Sequence, residues 1–168
     1  MKVQLNGKLR HLADLDPGTL FVTRTNEFTT IGLAATYGYD RAAVLFNMAR
    51  YPGQPSPCLV AESALGGVPL ITLPEAMLVP ALSQETLQFS STVTDGPGML
   101  MLFADNLFLR VSREGSGFAY VDVESGIAGA TPSQAAVEIP RWSIQQPNAA
   151  GQFETLFEFS GPAPIVRP

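Results

Sequence analysis

Glycine and proline interrupt this sequence at short intervals, which leaves little room for long helices. The 168 residues include 15 glycines and 14 prolines. The segments between them are rich in Val, Ile, Phe, Thr and Leu, which favours β-strands. The pattern predicts an all-β protein with one or two short helical turns. The predicted strands are 19–23, 29–36, 42–48, 58–62, 68–73, 88–93, 99–103, 108–112, 118–123, 136–139 and 153–159.

Two segments also have helical features. Residues 40–51 read DRAAVLFNMARY, with Asp40 as a candidate N-cap before an apolar helical face that stops at Pro52. Taken alone, this segment slightly favours a helix. Residues 131–134 place a proline in the first turn and have capping-box spacing, which is typical of a short helix start. An internal repeat in the sequence favours a strand for residues 41–48.

Part of the sequence occurs twice. The pattern Pro-Gly-x-Leu stands at 17–20 and at 97–100, and Asn-x-Phe follows at 26–28 and 106–108. Each copy continues as strand, glycine-containing turn and strand, the pattern of a β-hairpin. Leu-Pro at 73–74 matches Ile-Pro at 139–140. The offset between copies falls from 80 to about 76 and then to 66, as loop deletions in the second copy would produce.

We interpret this similarity as an internal duplication. It predicts an N-terminal lead-in (1–11), a first β module (12–91), a second β module (92–150), and a C-terminal strand with a proline-rich tail (151–168). Modules this small bury little surface alone, so we expect both to pack about a pseudo-twofold axis in one barrel- or sandwich-like unit. The alternative is chance recurrence in a chain rich in Pro, Gly and Leu.

The segment 152–159 alternates between apolar and polar residues. Phe153, Thr155, Phe157 and Phe159 are predicted to face one side of a strand, with Glu154, Leu156 and Glu158 on the other. The three rings need an apolar environment. We expect the strand to complete the protein's own sheet, and the alternative is pairing with the sheet edge of a neighbouring subunit.

Charge and composition argue against several classes of protein. Residues 1–50 carry a net charge of +2 and the rest −7, with no basic residue between Arg50 and Arg110, so nucleic acid is not an expected partner. The first residues lack the apolar segment of a secretory signal, and apolar runs elsewhere are too short to span a bilayer. A single cysteine cannot form an internal disulfide. We therefore expect a cytoplasmic protein with no membrane partner.

No motif for catalysis or cofactor binding occurs in the sequence. The only histidine and the only cysteine, His11 and Cys58, are too few for a structural zinc site within one chain. There is no nucleophile elbow, P-loop or dinucleotide-binding glycine motif. Cys58 is interpreted as a small buried apolar residue. The cofactor stays unknown, because a flavin bound by a β-barrel would leave no short motif.

Six residues remain as candidates for ligand binding. Tyr37 and Asp40, together with Tyr39 and Arg41, occupy a predicted hairpin tip, a common place for recognition. Arg141 and Trp142 follow Ile139-Pro140, the counterpart of Leu73-Pro74. A single tryptophan is more often a core residue. Ala76 is the counterpart of Trp142, and such an asymmetry could position one ligand between the modules. The full set is His11, Arg24, Tyr37, Asp40, Arg141 and Trp142.

The leading hypothesis is a non-catalytic binding or structural subunit that self-associates into a homo-oligomer. It rests on the absence of a recognisable set of catalytic residues, on the apolar C-terminal strand and on the MLMLF run at 99–103. That run also fits a strand buried on both faces. The alternative is an enzyme or small-ligand carrier with a pocket between the modules. A third hypothesis is an adaptor that binds a protein partner through the proline-rich tail.

Overall fold

The computed structural model describes residues 7–25, 28–47, 56–83, 88–90, 96–113, 117–129 and 136–161. A 3-10 turn at Leu12–Asp14 and one four-residue helix, α1 (Glu62–Leu65), accompany fifteen strands within these ranges. The strands are β1 (Leu9–Arg10), β2 (Leu20–Thr25), β3 (Phe28–Tyr37), β4 (Asp40–Leu45), β5 (Cys58–Ala61), β6 (Leu70–Thr72), β7 (Met77–Pro80), β8 (Gln88–Ser90), β9 (Leu100–Phe103), β10 (Asn106–Arg113), β11 (Phe118–Asp122), β12 (Ile127–Gly129), β13 (Ala136–Ile139), β14 (Arg141–Pro147) and β15 (Phe153–Ser160).

The all-β prediction is confirmed, and each of the eleven predicted strands overlaps an observed one. The helical alternative for residues 40–51 is wrong over Asp40–Leu45, which form β4 opposite β3. The remainder from residue 48, and the predicted helix start at 131–134, lie outside the described residues. Four strands were not predicted from the sequence, namely β1, β7, β12 and β14.

Six strands close into a β-barrel in the order β3, β4, β5, β10, β11, β12. Within each half the neighbours are antiparallel, as in the hairpins β3–β4 and β10–β11. The two junctions between the halves are parallel. There Thr36 pairs with Ile127 and Ser112 pairs with Cys58. The two halves therefore form one closed sheet that neither could complete alone.

The pairing scheme of the first half recurs in the second. Gly18 N–H donates to Ala34 O at 2.8 Å, and Gly98 N–H donates to Arg110 O at 2.7 Å. At the parallel junctions Thr36 N–H bonds Gly126 O, and Ser112 N–H bonds Pro57 O. In their pairing, strands β2 to β7 thus correspond in order to β9 to β14. Descent of the two halves from one duplicated sequence stays a prediction.

The register shows where the repeated residues correspond and where they do not. Leu20 lies opposite Leu33, and Leu100 lies opposite Leu109, so Leu20 and Leu100 are equivalent. Leu33 then corresponds to Leu109. The difference in residue number between the two halves therefore falls from 80 at Leu20 to 76 at Leu33, within the first hairpin. Phe28 and Phe108 are therefore not equivalent, because the β2–β3 hairpin is longer than β9–β10.

Two extensions of the sheet flank the barrel on opposite sides. We call β2, β6 and β1, which continue from β3, the first wing. We call β9, β13 and β8, which continue from β10, the second wing. A separate three-stranded sheet, in the order β15, β14, β7, lies across one end of the barrel.

The C-terminal strand completes the chain's own sheet, as expected, by pairing with β14. The predicted alternation of its side chains is only partly right. A bulge where Ile144 pairs with Phe157 and Gln145 with Thr155 leaves Leu156 as an extra residue. Leu156 and Phe157 both pack against the core, while Phe153 is exposed. A bulge arises from pairing with another strand, so alternation in one strand does not reveal it.

The main core fills the barrel and continues under the three-stranded sheet. Its barrel part comes from the inward-facing positions of both halves, and Phe46, Trp142 and Ile144 close one end. A second cluster covers the outer face of the first half, where Leu12, Leu15 and Leu65 pack over the strands. The outer face of the second half has a smaller cluster of Met99, Met101 and Tyr120.

Candidate functional site

Tyr37 and Asp40 lie together at the barrel end opposite Trp142. They face each other as the last pair of the β3–β4 hairpin, and both are exposed. Tyr37 follows the inward-facing Leu33 and Ala35 on the same side of β3, so its ring lies at the barrel mouth. The sequence-based prediction that aromatic and charged groups share this tip is consistent with these positions.

The hairpin tip of the second half contributes an arginine to the same end. Arg113 occupies the position in β10 that Tyr37 occupies in β3, and its guanidinium carbon lies 5.0 Å from the centroid of the Tyr37 ring. This is within the range of a cation–π contact. Arg113 is not among the residues predicted from the sequence, since only the barrel pairing brings the two tips together.

Arg41, next to Asp40, supports the fold at this hairpin. Its Nη1 donates a hydrogen bond to the backbone oxygen of Leu15 at 2.5 Å. Leu15 is buried against the outer face of the first half, just after the 3-10 turn. Arg41 therefore holds the N-terminal segment against β4, while Tyr39, fully exposed at the tip, makes no such contact with a described residue.

Trp142 lies in the core. Only 2% of its surface is exposed, and its Nε1 donates to the backbone oxygen of Gly98 at 2.6 Å. Phe46, Phe157 and Phe159 surround the indole with centroid separations of 5.5 Å each. This geometry favours the interpretation of Trp142 as a core anchor, with its polar atom satisfied by the main chain.

The other three candidates are exposed and lie on different elements. His11 precedes the 3-10 turn, and its backbone N–H donates to a carboxylate oxygen of Asp14 at 3.3 Å. Arg24 is on β2 in the first wing, and Arg141 begins β14 opposite Ser160. In the described ranges, no three His, Cys, Asp or Glu side chains are grouped closely enough to hold a metal ion.

The chain was compared with known protein families, curated proteins and solved structures. No match was found in any of them. The longest α-helix in the described ranges has four residues, so no helix there has the length and apolarity needed to cross a bilayer.

Each wing exposes a row of apolar side chains on the face that continues from the barrel interior. In the first wing Ile31 lies opposite Val22, Val22 opposite Ile71, and Ile71 opposite Leu9. Leu9 is 69% exposed and the other three are half-buried. Directly paired residues point to the same face of a sheet, so the four form one continuous row. We call it the first row.

The second wing has the corresponding row. Leu107 lies opposite Leu102, and Leu102 opposite Val137. Leu102 is 39% exposed, while Leu107 and Val137 are half-buried. We call these three residues the second row. The run at 99–103 is therefore buried only in part, because its strand extends beyond the closed barrel. Val22, Ile31 and Leu107 pack against the main core, so the exposed members of the two rows are Leu9 and Leu102. Exposed apolar side chains that continue from a core are candidates for an interaction site.

The edges of the three-stranded sheet are less suited to binding. The N–H of Ala81, just after β7, donates to the backbone oxygen of Arg141 in β14. Backbone N–H groups point alternately to the two sides of a strand, so the nitrogen of Pro80 points to the outer edge of the sheet. Proline has no N–H to donate there. On the opposite edge β15 carries Glu154, Glu158 and the bulge. Prolines, charges and bulges at edges limit pairing with other strands.

The outer faces of the two halves differ chemically despite their equivalent backbones. Where the first half has Ala34, the second has Arg110, which is buried with its guanidinium carbon 3.9 Å from the Phe118 ring centroid. Glu138, equivalent to Thr72, is also buried on β13. The sequence offered no signal for these buried charges, because charged residues in strands are mostly exposed.

Proposed function

We propose that this protein is a non-catalytic structural or binding subunit that self-associates in the cytoplasm. The observation that carries the proposal is the pair of apolar rows on the wings. Each row lies on the face continuous with the core, yet Leu9 at the outer end of the first row and Leu102 in the middle of the second are exposed. Burial of such a row by another molecule removes apolar surface from water and stabilises the assembly.

The barrel mouth supports a second candidate, recognition of a small molecule. The observation that favours it is the contact between Tyr37 and Arg113, which joins the two halves beside Asp40. An aromatic ring, a cation and an acid at one mouth suit a small polar ligand. Replacing Tyr37 and Arg113 with Ala would then abolish binding of a co-purifying compound. Retention of that compound by the double variant would overturn this candidate.

Native mass spectrometry and sedimentation velocity on untagged protein at micromolar concentration test the main proposal. We expect a native mass that is a multiple of the chain mass and a sedimentation coefficient that increases with concentration. Specific contacts with a Kd below about 100 µM are populated at that protein concentration. A protein that stays strictly monomeric up to about 100 µM would therefore overturn the proposal. A reproducible extra mass lost on denaturation would instead support the small-molecule candidate.

A further inference from the structure

We infer that self-association is head-to-tail, with the first row of one copy packed on the second row of the next. This inference rests on the self-association proposed above and assigns its surface and its partner, a second copy of this chain. The first row is Leu9, Val22, Ile31 and Ile71, and the second row is Leu102, Leu107 and Val137.

The topology places the two rows on opposite sides of one molecule. The first wing extends from β3 and the second wing from β10, and these strands are three positions apart in the six-stranded barrel. Each copy can therefore contact two neighbours at once. A contact between two different surfaces of this kind generates rings or filaments and cannot form a closed twofold dimer.

Charge favours contact between unlike rows. Arg24 is exposed on β2, two residues beyond Val22 and on the same face of the strand. At the matching end of the second wing, exposed Asp105 lies in the turn after β9, one residue pair beyond Leu102 and Leu107. When the hairpin ends of the two wings meet, packing of the first row on itself brings Arg24 next to Arg24, and packing of the second row on itself brings Asp105 next to Asp105. Unlike rows bring opposite charges together, which favours that arrangement.

The charge around the wings agrees with this assignment. Lys8 and Arg10 are exposed beside Leu9 in the first wing. Together with Arg24 they place positive charge near the first row, and the exposed Asp105 lies near the second row. Attraction between these groups orients two copies before contact.

Charge reversal tests the inference on the full-length protein. We expect Arg24→Asp and Asp105→Arg each to weaken self-association by about tenfold, the scale of one lost charge pair at an interface. We expect the double variant Arg24→Asp/Asp105→Arg to recover most of the loss, because it restores opposite charges with their signs exchanged. Glu62→Arg is the matched control: it lies on α1, on the outer face, and is expected to associate like the original protein.

Sedimentation velocity across a concentration series reads out the assembly, and Trp142 fluorescence checks that each variant is folded. Weakening by both single variants, with recovery in the double variant, supports the head-to-tail contact. Unchanged association of the single variants, no recovery in the double, or a strict dimer with no larger species overturns it while leaving self-association in place. A monomeric original protein overturns the proposed function itself, so the two failures are distinguishable.

Discussion

Leu78 of β7 and Ile144 of β14 lie directly opposite each other, and they are equivalent positions in the two halves of the chain. Each stands five residues after the matching Leu73 or Ile139. The two halves therefore pair with each other at equivalent positions. Ile144 is nevertheless fully buried and Leu78 half-buried, because β15 extends the sheet only on the β14 side.

This asymmetry predicts unequal effects of truncation at equivalent positions. Ile144→Ala is expected to lower the free energy of unfolding by about 2–5 kcal/mol, through lost apolar burial and a cavity. Leu78→Ala is expected to lower it by about 1–2 kcal/mol, because the half-exposed side chain loses less burial. Urea unfolding followed by circular dichroism measures both. Equal losses would contradict the buried position of Ile144 under β15.

The Trp142 indole is expected to contribute through its hydrogen bond as well as its volume. Trp142→Phe keeps an aromatic ring but leaves the Gly98 oxygen without its donor and a gap beside Phe46. The expected loss in the free energy of unfolding is about 2–3 kcal/mol. Phe153→Leu, on an exposed residue, is the control, with an expected change within about 0.5 kcal/mol. Chemical unfolding followed by circular dichroism suits both variants, and similar stability of the two would refute this role.

Position 98 requires glycine for two reasons, its positive φ and the lack of space for a side chain. Its φ is +94°, and an added Cβ would lie 2.1 Å from the Phe159 ring. We expect Gly98→Ala to destabilise the protein by at least about 2 kcal/mol, from strain and displacement of the ring. Gly38 also has a positive φ, +63°, but an added Cβ would meet open space. Gly38→Ala is therefore expected to lower the free energy of unfolding by only about 1 kcal/mol. Thermal unfolding compares them, and a Gly98 variant no worse than the Gly38 variant would argue against the close packing.

The contact at the barrel mouth is expected to make a small contribution to stability. Tyr37→Ala removes the ring under Arg113, and an exposed cation–π pair contributes about 0.5–1 kcal/mol. Tyr39→Ala, two residues away and fully exposed, is expected to change the free energy of unfolding by less than about 0.5 kcal/mol. A double-mutant cycle with Arg113→Ala isolates the pair. A coupling energy of zero would mean that the contact does not contribute.

The candidate surfaces were predictable only to the extent that they are local. Tyr37 and Asp40 are three residues apart, so a hairpin signal in the sequence was enough to place them together. Arg113 is distant in sequence and joins them only through the closed barrel. The apolar rows were also missed. Ile31, Val22, Ile71 and Leu9 come from four separate strands, and no single segment shows that they are neighbours.

The sequence by itself determined the all-β class, the positions of eleven strands and the correspondence of Leu20 with Leu100 and of Leu73 with Ile139. These properties follow from local propensity, glycine and proline punctuation, and a period of two residues along each strand. The tertiary structure alone decided the parallel junctions of β5 with β10 and of β12 with β3, the wings beside the barrel, and the bulge in β15. Alternation fixes which side chains share a face of one strand, but the choice of partner strand depends on closing a sheet between segments far apart in the chain.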